Sequence, residues 1–458
     1  MATIEAVPAS EGFFQVEEHG IDPIPRTERG GRSRDLAFIW AGAFFDFVTV
    51  LTASYLTASF GLGVWDGLLA LLLGGVSGAV LLGLLSHSGA QSGLPQVAFT
   101  QRIFGTAGMK LAALLTLFLA VGWFAVDTVI AAQAGAQLLQ VAGLGDLGLK
   151  LTLPLVILIA AASVVVAIYG HGTIRVLETW GAVVFGGLVV VLVIALAPQF
   201  KFAAGPTASG AAYPGAFVLG FMTCFALVAS WYPFASDYSR YLRPETPARG
   251  LTWWPVVGVA VPMVLLGLLG LLLPGIDAKL AADPNGGVLS VISKHAPAWL
   301  ALLFFLLVVA GELLSNYLDV YTAGLVAQTL GLRLPRWQTA LGCGVLGAAL
   351  AAYAVTVSDF HNAYEQFLTL TYLWAPAWAA IVLLGLNLRR PRPALALLSW
   401  AAGTAVSFTF VNYGNIYSGA HAFNDPLIGA LHGADISGAA SVAVAALCFW
   451  LGRRAVHA

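Results

Sequence analysis

Charge is what this sequence has least of. Only 9% of its 458 residues are Asp, Glu, Lys or Arg, while 59% are hydrophobic and the mean hydropathy is +0.87. A soluble domain carries about 25% charged residues, so the deficit excludes an ordinary soluble enzyme. The length admits roughly three soluble domains, but apolar runs recur from end to end and point to one membrane domain. A net charge of −1 leaves no basic surface for nucleic acid. Cysteine is scarce as well. Cys224, Cys343 and Cys448 all fall inside apolar runs, with neither a disulfide framework nor zinc spacing. His171, His361, His421 and His432 lie between runs without ligand spacing, so no metal is expected. No G-x-x-x-x-G-K-[ST] phosphate loop exists, which excludes a primary ATP-driven pump on this chain. No nucleophile–base pair sits at depth, which argues against an intramembrane enzyme. Residues 1–35 are polar and hold no short apolar core, so no signal peptide is expected.

What is present is a series of twelve apolar runs, each near the roughly 20 residues that a spanning helix needs. They lie at 36–60, 65–86, 110–133, 151–170, 177–197, 214–236, 252–274, 298–321, 337–356, 364–386, 393–413 and 434–452. Strand alternation is absent, which argues against a β-barrel. Residues 1–34 read as a flexible tail of mixed charge. The longest outer segments, 275–297 and 414–433, are long enough to hold short surface helices. Orientation follows Lys and Arg. With alternating spans, all of the 21 except Lys150, Lys201, Lys279 and Lys294 fall on the side of the amino terminus. Both termini are therefore expected in the cytoplasm, and the chain in the cell inner membrane.

Four acids lie well inside runs: Asp46, Asp127, Glu312 and Asp319. An ionised side chain at mid-span costs at least ~2.5–3.5 kcal/mol, which makes each a candidate for function. No Lys or Arg lies centrally to neutralise them. They either bind a cation, carry a proton, face a wet cavity, or are capped by nearby backbone and hydroxyls. Trp123 precedes Asp127 by one helical turn, and a flat ring beside an acceptor suits a planar, N–H-bearing ligand. Glu312, Asn316 and Asp319 share one face of the eighth run, a polar stripe that turns inward or glues helices together.

The first and sixth runs carry helix breakers. The first reads AGAFFDF, with Phe45 and Asp46, and the sixth reads ASWYPFASDYSRY, with Ser230, Trp231 and Pro233. Broken helices in corresponding positions of two halves point to a transporter binding site. Asp237 with Arg240 reads as a structural or gating ion pair at the end of the sixth run. Glu365, Asp66, Glu178 and Asp435 read as interfacial or capping residues at span ends.

At these residues the sequence resembles the nucleobase–cation symporters. Six stretches carry the likeness in order: VEEHGIDPIPRTER, SGLPQVAFTQRIFGTAG, VGWF, SWYPFASDYSRYL, YEQFLTLTYLWAPAWA and GADISG. The fourth is most like the purine–cytosine permease branch. The resemblance implies an all-α leucine-transporter-like fold of twelve spans. Residues 35–200 and 201–390 would be two inverted repeats of five spans, with two spans and a short tail appended at 391–458. It implies secondary import of a small planar heterocycle, cytosine or a purine, with no cofactor and no protein partner. Pyridoxine, hydantoin or allantoin, uracil and thiamine precursors are alternatives within the family, and a passive facilitator is the alternative outside it.

By position, Trp123 matches the family's stacking residue of the third span. Asp127 matches a site where the hydantoin branch has an amide, and Asn316 matches a substrate-touching asparagine. Ala120 replaces a glutamine of cytosine-specific members. The sixth-span aromatic falls near Val228, so Trp231 or Phe225 is expected to serve, with Ser230 and Phe45 at the two breaks. Sodium-coupled members carry paired hydroxyls where this chain has Leu314–Ser315. Leu314 supplies no oxygen, so proton symport is favoured over sodium. Glu312 is then the first candidate carrier and Asp46 the second, in a group with Asp319 and Ser315.

Overall fold

The computed structural model describes residues 12–202, 205–281, 283, 287–356, 367, 372–388, 392–412 and 424–454. The first run folds as two helices, α1 (Asp35–Phe44) and α2 (Phe47–Ala58), inclined by 60°. The chain breaks at Phe45–Asp46 because Asp46 is extended and caps α2. Its Oδ1 accepts the Thr49 N–H at 2.8 Å. The Thr49 hydroxyl donates to the Phe44 carbonyl at 3.1 Å, satisfying an acceptor that the break frees.

The chain continues through α3 (Val64–Ser92), the short α4 (Gln96–Phe99), α5 (Gln101–Leu139), α6 (Leu149–Tyr169) and α7 (His171–Leu196). In the sixth run α8 (Ala212–Ala229) stops before Pro233. A 3-10 turn over Tyr232–Phe234 leads into α9 (Ala235–Ser239). Next come α10 (Ala248–Leu272), then α11 (Ala278–Ala281) and α12 (Gly287–His295) within the long segment 275–297. The rest are α13 (Ala298–Leu330), α14 (Arg336–Ala354), α15 (Ala375–Gly385), α16 (Pro393–Phe410), α17 (Asp425–Ala430) and α18 (Ser437–Arg454). Among the described residues eight helices are long and apolar enough to cross a membrane, or nine when α1 and α2 count as one span. Helices α14, α15 and α18 occupy the ninth, tenth and twelfth runs, but α15 is shorter than a span, and α14 and α18, though long enough, are less apolar than the others.

The core is built on α5 against α13, with α10 packed across α1, α2 and α3. Outward faces carry large apolar side chains such as Trp180, Ile194 and Leu398, as a bilayer permits when backbone groups are satisfied within each helix.

The stretch read as a flexible tail is, from residue 12 on, seated on the helix ends. Ile24 and Arg29 are buried. Helix α3 ends with carbonyls that have no intrahelical donor. Arg29 supplies donors, giving Nη1–H to Ala90 O and Nη2–H to Ser92 O, each at 3.2 Å. The Ile24 N–H donates to Gly93 O at 3.1 Å.

Candidate functional site

The break in the first span faces the long α13. A Cβ at Gly311 would stand 2.1 Å from the Phe45 carbonyl oxygen, so only glycine admits the broken backbone so close. One residue on, Glu312 accepts the Phe47 N–H through Oε1 at 2.8 Å. Asp46 and Glu312 therefore both receive free donors at the start of α2, where the helix dipole favours negative charge. Capping by backbone, one of the open readings of the buried acids, is realised at both.

Asp127 on α5 and Asp319 on α13 complete the group. Asp46 and Asp127 lie within Coulombic reach of each other and of both Glu312 and Asp319, and no Lys or Arg figures among the described charged neighbours of the four. All four are buried. Both Asp319 oxygens, Asp127 Oδ1 and Glu312 Oε2 lack a hydrogen-bond partner among the described residues. Ser315 lies beside the Asp127 carboxyl. Asn316 donates Nδ2–H to the Thr128 hydroxyl at 3.2 Å, and its Oδ1 has no partner among the described residues. Among the described residues no group of three His, Cys, Asp or Glu side chains could hold a metal ion.

The aromatic candidates separate. Trp123 is buried on α5 and meets Phe367 edge-on, with centroids 5.5 Å apart. Trp231 packs against Trp40 and Phe44 of α1, at 5.9 and 6.2 Å, and against Phe234. Phe225 contacts Tyr232 and approaches Gly438 of α18. Val228, the position nearest the family's sixth-span aromatic, faces Gly78 of α3. The Ser230 hydroxyl donates to its own helix, at Leu227 O. Leu314 packs onto Gly181 of α7, so the place of the missing hydroxyl is filled with hydrocarbon.

The expected Asp237–Arg240 pair is corrected by the geometry. Asp237 accepts the Gln96 N–H at 2.8 Å and the Thr322 hydroxyl at 2.7 Å. Arg240 turns to Glu17 of the amino-terminal segment, donating Nη2–H at 2.9 Å, and gives Nη1–H to Gly20 O at 2.6 Å. Asp237 already has two neutral donors, whereas Glu17, buried, needs full countercharge. Arg336 stands 3.9 Å from the other Glu17 oxygen, which also accepts the His171 N–H at 2.7 Å. Tyr241 and Tyr321 both donate to Glu17 Oε1. Burial alone would raise the Glu17 carboxyl, but Arg336, Arg240, Tyr241 and the His171 amide together bring it down to about 2.

Sequence reasoning missed Glu17 and misplaced Glu178. Helix α7 starts at His171, six residues before the run that hydropathy marks, so Glu178 lies two turns inside and fully buried. The left-handed Gly170 (φ +90°) that starts α7 was the available signal. Asp66 and Asp435 do stand at helix starts, Asp435 accepting the Ser437 N–H at 2.8 Å. Glu365, His361 and His421 lie outside the described residues.

A family model described as permease for cytosine/purines, uracil, thiamine, allantoin matches residues 23–390. A putative purine-cytosine permease, YxlA of Bacillus subtilis, is 26% identical over 386 residues, covering 80% of this chain and 78% of the relative. The vitamin B6 transporter TPN1 of Saccharomyces cerevisiae is 24% identical over 377 residues, covering 78% and 63%. Among solved structures, Mhp1, a nucleobase-cation-symport-1 family transporter in a closed conformation with bromovinylhydantoin bound, superposes with a TM-score of 0.69. It is 17% identical and the match covers 95% of each chain.

Proposed function

Because the chain belongs to the family of permeases for cytosine/purines, uracil, thiamine and allantoin, we propose that this secondary transporter imports a small planar heterocycle of the cytosine or purine type by proton symport. It is a multi-pass membrane protein of the inverted-repeat fold and not an enzyme. The reading places twelve spans in the cell inner membrane, with both termini in the cytoplasm.

The observation that carries the substrate class is Trp123 one turn from Asp127 on α5, opposite Asn316 of α13. Trp123 stacks the ring, Asp127 accepts a ring N–H, and Asn316 reads the carbonyl edge. Phe45, Trp231, Phe225 and Ser230 shape the remainder from the first and sixth spans.

Two observations support the proton. Four carboxyls gather without a described cation, so bound protons or a bound metal ion must balance them. Leu314 offers hydrocarbon where sodium would need an oxygen. Glu312 is the first carrier and Asp46 the second, with Asp319 and Ser315 beside them. Substrate and proton both favour the occluded form, and the helix pairs then rock to open inward. Arg240, held by Glu17, closes the cytoplasmic face in this scheme, and Asp237 is structural.

A thermal-shift screen of the purified protein tests the reading. Cytosine, adenine, hypoxanthine, uracil, allantoin, a hydantoin and pyridoxine are each added with and without sodium, at two pH values. A compound that binds the folded state stabilises it by mass action. Stabilisation by cytosine or a purine that depends on pH and ignores sodium is expected. Stabilisation that requires sodium overturns the coupling ion, and a shift with pyridoxine or a hydantoin alone overturns the substrate class.

A further inference from the structure

Glu178 is a buried acid that the transport scheme leaves without a role. It projects from α7 against the first half of the broken span. A Cβ at Gly42 of α1 would stand 1.5 Å from Glu178 Oε2, so the carboxyl occupies the space that a glycine leaves open. Gly42 lies three residues before the break at Phe45. Both Glu178 oxygens are buried and lack a hydrogen-bond partner among the described residues.

Its charged surroundings are sparse. Tyr317 of α13 faces it. On α1 the carboxyl meets Gly42, and no charged group of α6 or α10, the other helices packed on α7, figures among its described charged neighbours. One turn nearer the helix start, Arg175 is engaged with Asp35 at 3.5 Å. A buried carboxyl with neither a cation nor a donor beside it among the described residues is held as the neutral acid. Asp46 and Glu312 differ, because each accepts a backbone N–H of α2.

We propose that Glu178 is a second proton-binding site, distinct from the four-acid cluster, loaded while α1 lies against it and unloaded when α1 withdraws. The inference rests on the reading above in one respect, that transport moves α1. On withdrawal water reaches the carboxyl. The O–H bond breaks, its electron pair stays on the carboxylate oxygen, and the proton passes to water. A proton carried in each cycle would then be held by a site that never touches substrate.

The test uses full-length protein in liposomes, wild type and Glu178→Gln, by infrared spectroscopy at neutral pH and by accumulation of radiolabelled cytosine under an imposed proton gradient. The expected result has two parts. The wild-type-minus-variant spectrum contains the carbonyl stretch of a protonated carboxylic acid. The variant keeps cytosine exchange but loses gradient-driven accumulation by about tenfold or more, within the usual range for coupled sites. Absence of that band overturns the proposal. A band together with wild-type accumulation in the variant also overturns it, because the acid is then a fixed structural group. Failure of the wild type to accumulate cytosine counts against the transport reading instead, and the band alone then decides whether Glu178 holds a proton. If Glu178→Gln does not fold, Glu178→Asp should retain a displaced acid band, and its absence overturns the proposal.

Discussion

Arg240 Nη2 stands 2.9 Å from the Glu17 carboxylate although 223 residues of chain separate them. Both side chains are buried, and each is tolerable there because of the other. The pair ties the amino-terminal segment to the end of the sixth span, and Arg336 extends the tie to the start of α14.

Glu17→Ala leaves two buried guanidinium groups without their carboxylate. Removing one partner of such a pair costs about 3–5 kcal/mol. The expected outcome is a clear fall in thermal stability in detergent, measured against wild type. An unchanged melting transition would mean that the network adds nothing to the folded state.

The same carboxyl sets an acid limit. Glu17 ionises at about 2 in the folded protein, below its ordinary 4.5. Its contribution is complete above pH 4.5 and fades as pH falls through about 2. Melting temperature followed downward through that window should drop more steeply in wild type than in Glu17→Gln. Parallel curves would remove Glu17 from the acid response.

Gly311→Ala places a methyl 2.1 Å from the Phe45 carbonyl oxygen in the present geometry. Overpacking of this kind costs about 1–3 kcal/mol, and here it displaces the backbone of the break itself. Uptake should fall by more than stability does. Wild-type uptake at wild-type stability would show that α13 can move aside.

Trp123→Ala should weaken substrate binding by about 1–3 kcal/mol, the range for loss of one base–aromatic stack. Titration of the stabilising heterocycle into the purified variant measures it. Wild-type affinity would move the stacking surface to Trp231 or another ring.

Leu314→Ser restores a hydroxyl next to Ser315. If the missing oxygen is what bars sodium, the variant should gain thermal stabilisation from sodium that wild type lacks. A sodium response in wild type itself would mean that backbone carbonyls complete the site unaided.

The helical, membrane-embedded class was legible because burial in lipid is written into composition, and the two breaks were legible because Asp46 and Pro233 interrupt apolar runs. The polar stripe Glu312–Asn316–Asp319 was legible from helical spacing, and the structure brings it to Asp127 across α5. The ring contacts were less so. Phe225 and Trp231 are close in sequence, yet six residues of helical winding put them on different faces, one toward α18 and the other toward α1. The partner of Arg240 was not legible at all. Asp237 is three residues away, Glu17 is in another part of the chain, and only the folded path of the first residues decides between them. Glu178 was misread because hydropathy marks where a run becomes apolar, not where its helix begins.

The Glu17 network also has a consequence for the order of assembly. Arg336 is made 319 residues after Glu17, whose carbonyl it finally binds. At about 5–20 residues per second, that interval is on the order of half a minute. Glu17 has no basic partner until Arg240 is made, and its set of partners is complete only with Arg336. The Glu17 segment is thus among the last parts to settle, and a peptide inserted into it would burden the final step of biogenesis rather than the first.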